Sequence, residues 1–156
     1  MKYIDSPSAA DMPGELVWIF NFWNDLKGER DIPSRRDFKP EDLAGILPGV
    51  TLTDVEWNPL RFRVRLAGTG IVQSIGRDMT GRYYDEFLDG ETLARITRCV
   101  QNREPLLAID KPLIWASKDY ASYSLLNLPL ANEGEPVNML LVQMIFKPLK
   151  SLVARD

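Results

Sequence analysis

A mixed α+β fold is the class that hydrophobic periodicity predicts for this chain, on three observations. Two neighbouring stretches, Val50 to Glu56 and Arg61 to Ala67, alternate apolar and polar residues as strands do. Asp89 to Arg103 places Leu93, Ile96 and Val100 at helical spacing, with Ala94 and Cys99 alongside. Three further strand-like runs follow, LLAIDKPLIWA, YASYSLLNLPL and VNMLLVQMIF, separated by turns at Ser117 to Asp119 and at Ala131 to Pro136.

A chain of 156 residues is expected to form one domain with a real core. Its net charge is −3, and the basic residues are scattered among acidic ones, which argues against a nucleic-acid footprint. Cys99 is the one cysteine, so no intramolecular disulfide can form, and a cysteine-based zinc site would have to be shared between chains. Histidine is absent from the sequence. That removes Ser-His-Asp and Cys-His catalysis, His-ligated haem and nearly all zinc enzymes. The opening MKYIDSPSAADMPG does not read as a signal peptide, and no run approaches the roughly 18 apolar residues of a membrane span. A cytoplasmic location without membrane attachment is the expectation.

Residues 1–13 are polar and small and read as a loosely held lead-in. From 14 to 28 a helix is predicted, with Leu16, Ile19, Phe20 and Trp23 in one stripe and Gly28 as its stop. Trp18 and Phe22 fall at the margin of that stripe and make the apolar face unusually broad. It either lies wholly on the sheet or meets a second subunit, which makes Trp18 and Phe22 candidates for a homodimer interface. In the connector, Pro40 is placed to open a short helix that ends between Gly45 and Gly49. Arg35 and Arg36 could grip an anion, but beside Asp37 in a proline-rich connector they read better as a solvated turn.

In the second strand Phe62, Val64 and Leu66 are expected on one face and Arg61, Arg63 and Arg65 on the other. The arginine row marks a solvated face or protected edge, or more sharply a ligand-binding stripe. The Gly68-Thr69-Gly70 triplet reads as a tight turn, its phosphate-loop pattern being incomplete. Asp85, Glu86 and Asp89 are explained by capping at a helix entrance better than by acid–base catalysis. Cys99, within a helix, reads as a small buried hydrophobe. The last strand is apolar on both faces, which suits the centre of a sheet covered on both sides.

The order of elements, together with MTGRYYDEFLDGETLARITRCVQNREPL, resembles a PAS domain. More narrowly, DIPSRRDFKPEDLAGILPG, RFRVRLAGTGI, GRDMTGR and LLNLPL are similar to a PAS-like family of small alphaproteobacterial proteins. The resemblance spans roughly Leu16 to Phe146. It implies a PAS-like core over 50–147, with a five-stranded antiparallel sheet in the order 2-1-5-4-3 and helices on one face enclosing a pocket. It further implies a non-enzymatic sensory module that signals through another protein. The alternative is an interaction or dimerisation adaptor whose interior is filled by its own side chains. The cofactor stays unassigned. The missing histidine disfavours haem, and Cys99, standing in the long helix and not the short one, disfavours covalently bound flavin.

The ligand-binding candidates are Arg82, Tyr83, Tyr84 and Phe87 on the crossing segment, with Trp115 and Tyr123 on the sheet. If residues 80–87 alternate between cavity and solvent, Arg82 is the cation among aromatics, suited to an anionic group on a flat or apolar body. The competing reading is that these aromatics fill the core.

Overall fold

The computed structural model describes residues 1–114 and 120–148. Trp115 lies outside them. The strands are β1 (Lys2–Asp5), β2 (Val50–Glu56), β3 (Arg61–Ala67), β4 (Leu106–Pro112), β5 (Tyr120–Leu130) and β6 (Met139–Pro148). The helices are α1 (Gly14–Lys27), α2 (Thr69–Ile75) and α3 (Gly90–Asn102), and several single 3₁₀ turns join them. The strands make one antiparallel sheet in the order β1-β4-β5-β6-β2-β3.

The expected five-stranded sheet is contained in this one, but it has six strands. The extra strand comes from the lead-in, which is not loose. Lys2 to Asp5 pairs with Ile109 to Leu106, and Ser6 N–H donates to the Pro105 carbonyl at 3.0 Å. Without β1, the outer edge of β4 would present unpaired backbone groups. Four residues containing Tyr3 and Ile4 are too short for periodicity to reveal them, because the pairing is made by backbone.

The sheet is covered on both sides, as the apolar character of β6 demands. Val142 and Met144 face α2 and α3, while Gln143 points the opposite way and donates from Nε2 to the Glu15 carbonyl of α1 at 3.3 Å. On its inward stripe α1 buries Leu16, Ile19 and Trp23. The Trp23 indole donates to the Pro129 carbonyl at 3.1 Å, just past Asn127, where the pairing of β5 with β4 ends. Trp18 remains 49 % exposed, with its ring stacked on Phe22 at 5.1 Å. Phe22 in turn meets Phe38 edge-on at 5.7 Å.

Two bulges re-aim side chains. One, where the β2–β3 register shifts between Leu52 and Thr53, moves Leu66 from the Phe62 and Val64 face to that of Leu52. Leu66 is 53 % exposed in consequence, which corrects the simple alternation expected of β3. The other lies in β4 between Ala108 and Lys111, with Asp110 at φ 54°. It turns Lys111 to the face of Ala108.

Candidate functional site

Between the α2–α3 side of the sheet and the segment 79–88 lies a cavity of about 70 Å³. Its floor is made by Thr51, Ala108, Tyr123, Leu125, Asn127 and Met144, and its roof by Ile71, Ile75, Met79 and Ile96. The roof is held by the turn at Gly68. There a Cβ would fall on the carbonyls of Leu47 and Pro48, and at Gly70 one would stand 2.9 Å from the Pro48 oxygen. The Gly68-Thr69-Gly70 triplet therefore serves close packing of backbone on backbone.

Segment 79–88 docks on the outer edge of β3. Gly81 N–H donates to the Val64 carbonyl at 2.8 Å, and Val64 N–H donates to the Arg82 carbonyl at 2.9 Å. Side chains in this segment do not alternate, because Tyr84–Glu86 forms a 3₁₀ turn that aligns residues three apart. Tyr84 and Phe87 consequently share the cavity face, meeting edge-on at 5.9 Å.

The structure thus gathers three of the expected residues, Tyr84, Phe87 and Tyr123, around the cavity. Tyr84 is buried, stacks on Phe62 at 5.6 Å and shares a 2.7 Å hydrogen bond with Thr53 Oγ1. Burial pushes its phenol up to about 12, although the Thr53 bond pulls the other way. Arg82 is placed elsewhere: it is exposed, and its Nε donates to Glu86 at 2.7 Å. Arg82 ends a tight turn of its own, in which its N–H donates to the Met79 carbonyl at 3.0 Å and Gly81 takes φ 86°. Tyr83 is also off the cavity, donating its hydroxyl to the Glu56 carboxylate at 3.0 Å beneath the Arg61 guanidinium, which lies 3.6 Å from its ring centre. Trp115, outside the described residues, has no position to compare.

Two cations that periodicity did not single out do line the cavity: Arg77, which has a partner of its own, and Lys111. The Lys111 side chain is only 8 % exposed. Nζ donates to the hydroxyl of Tyr3 and, at 2.7 Å, to Thr92 Oγ1, while those two hydroxyls lie 2.6 Å apart. Asp89 Oδ2 stands 3.8 Å from Nζ. The available signal was Pro112, since a proline inside a strand-like run marks an edge or a bulge.

The acidic cluster is structural. Asp89 caps α3, accepting from Thr92 N–H at 2.7 Å, and this bond holds its carboxyl below the ordinary range. Asp85 accepts two hydrogen bonds from Arg61 at 2.9 Å, and Glu86 accepts from Tyr83 N–H at 2.8 Å and from Arg82. Both of these acids are likewise held low by those donors. A carboxylate kept ionised by fixed donors is a poor general acid at neutral pH. Arg61 and Arg65 are spoken for as well, by Asp85 and Asp54. Cys99 is buried in α3, and desolvation pushes its thiol up to about 12. Among the described residues no cluster of metal-ligating side chains forms, and no helix is long and apolar enough to cross a membrane.

Residues 13–145 match the family described as PAS domain. The chain belongs to the PAS family. A solved structure, that of an RNA-binding light-oxygen-voltage receptor, superposes with a TM-score of 0.51 at 12 % identity, covering 99 % of this chain and 43 % of the receptor chain. At that identity the likeness concerns the fold, and this chain spans less than half of the receptor's length. No curated protein matches.

Proposed function

We propose that this PAS domain is a non-catalytic sensory module that binds a small ligand between its sheet and α2–α3, and passes the state of that site to a signalling partner. The observation that carries this reading is the cavity itself, whose largely apolar lining also carries Lys111, Thr92 and Tyr3, with Arg77, Thr51 and Asn127 elsewhere on it. An apolar pocket with a few convergent polar groups is the general form of a small-molecule site. Tyr84, Phe87 and Tyr123 form its aromatic wall in this reading. Arg82 and Tyr83 join the set only through a rearrangement of residues 80–87, and Trp115 belongs to it by resemblance alone.

A second reading, an adaptor with a self-filled interior, has its own support. The cavity of about 70 Å³ is well below the ~300–1,000 Å³ typical of pockets for drug-sized ligands. The exposed, stacked Trp18 and Phe22 also offer a surface for a second copy. Native mass spectrometry of freshly purified protein separates the two. A retained small molecule supports the sensor, and a protein mass without adduct, unchanged by added small ligands, supports the adaptor.

A further inference from the structure

We infer that the cavity selects a short aliphatic monocarboxylate, whose carboxylate pairs with Lys111 and whose chain lies along Ile75, Ile96, Leu125 and Met144. This rests on the ligand-binding reading above and assigns it a chemistry. The argument begins with a count of hydrogens. An ammonium has three N–H groups and each hydroxyl one O–H, so the Lys111, Tyr3 and Thr92 cluster has more donors than its two hydroxyl oxygens can accept. The three contacts within the cluster use one hydrogen each. The Thr92 hydroxyl hydrogen is also drawn to the Asp89 carboxylate, so among the described residues one ammonium N–H is left over, on a side chain that lines the cavity.

Charge points the same way. Among the described residues, the carboxylate that approaches the Lys111 ammonium is that of Asp89, at 3.8 Å, beyond hydrogen-bond reach and 55 % exposed. Asp89 is also committed to Thr92 N–H as the cap of α3. A buried cation with surplus donors is stabilised most by an anion that brings two acceptor oxygens to it. Rotation of Asp89 inward would supply one, but only by giving up the cap.

The surroundings limit the ligand to one anionic group. Lys111 stands on the wall between the cavity and an outer groove that also holds Asp85, Glu86 and Asp89. Those acids repel a second carboxylate on the groove side. On the cavity side the lining is mostly apolar, and the further cation on it, Arg77, already has a partner of its own, so an alkyl chain is favoured. The small volume keeps that chain short.

Titration calorimetry on the full chain tests the assignment, with butyrate and hexanoate as probes and hexanamide, hexanol and adipate as comparisons. Hexanoate is expected to bind at least about tenfold more tightly than hexanamide, a difference of about 1.4 kcal/mol. Lys111→Met is expected to lose hexanoate binding while still taking up hexanol. Thr92→Val keeps the ammonium and is expected to weaken hexanoate severalfold with hexanol unchanged, so it serves even where Lys111→Met does not fold. Equal affinity for hexanoate and hexanamide, tighter binding of adipate, or unchanged hexanoate affinity in a folded variant would each overturn the assignment while leaving a ligand site in place. If the wild type binds neither hexanol nor the acids, the ligand-binding reading falls together with it.

Discussion

Tyr84 shows how one side chain can link the sheet, the crossing segment and the cavity. Its hydroxyl is the partner of Thr53 Oγ1, and Thr53 is wholly buried at 0 % exposure. Tyr84→Phe therefore leaves a buried hydroxyl without its partner and is expected to cost about 1–3 kcal/mol, read from urea unfolding. The same residue makes the fold alkali-sensitive. The ordinary values are 10.0 for tyrosine and 9.0 for cysteine, whereas Tyr84 and Cys99 are both raised to about 12 in the fold. The unfolded chain loses these protons first, so stability is fully present below pH 9, falls as the pH rises, and has lost these contributions at about 12. A urea midpoint measured against pH should decline in that window, and less steeply in Tyr84→Phe and Cys99→Ala. A midpoint that stays flat across it would remove the linkage.

Among the elements, the short turn ahead of α2 is the least tolerant of change. Gly68→Ala places a methyl on the Leu47 and Pro48 carbonyls, both backbone, which cannot swing aside as a side chain could. We expect a loss of about 1–3 kcal/mol in thermal or urea unfolding, against a negligible effect of Gly45→Ala, where a Cβ meets nothing within 4 Å. Elements of this kind also mark how far the sequence could be read. The alternation in β2 and β3, the stripe on α1 and the capped periodicity of α3 were legible because one face of each is buried. Lys111 was not, because an extra residue in β4 inverts the alternation by which it would be judged. Arg82 was misplaced for a related reason: the turn from Met79 to Arg82, with Gly81 at a positive φ, breaks the extended backbone that alternation assumes. Tyr84, Phe87 and Tyr123 were found by chemistry, as aromatics gathered near one another, and their placement needed the turn.

For the whole molecule, the broad face of α1 raises the question of assembly. Leu16, Ile19 and Trp23 complete the contact with the sheet, leaving Trp18 half exposed and Phe22 stacked on it. We expect a homodimer joined through these two rings. Light scattering should give twice the chain mass for the wild type and the single-chain mass for a Trp18→Glu, Phe22→Glu double variant. A wild type that remains monomeric at high concentration rules the dimer out. Because α1 lies on the side of the sheet away from the cavity, communication between the two must run through the strands or around the edge at β1.

That edge carries a consequence for handling the protein. The four residues of β1 cap the hydrogen-bonding rim of β4 and also deliver the Tyr3 hydroxyl to Lys111. On the proposed ligand-binding reading, selectivity and resistance to clumping thus share one short tether. A tag or substitution that peels Lys2 to Asp5 away would uncover the backbone from Leu106 to Ile109 to neighbouring chains at the same moment as it strips an oxygen from the buried ammonium. Preparations with a disturbed leading strand should turn cloudy on concentration and lose ligand discrimination together.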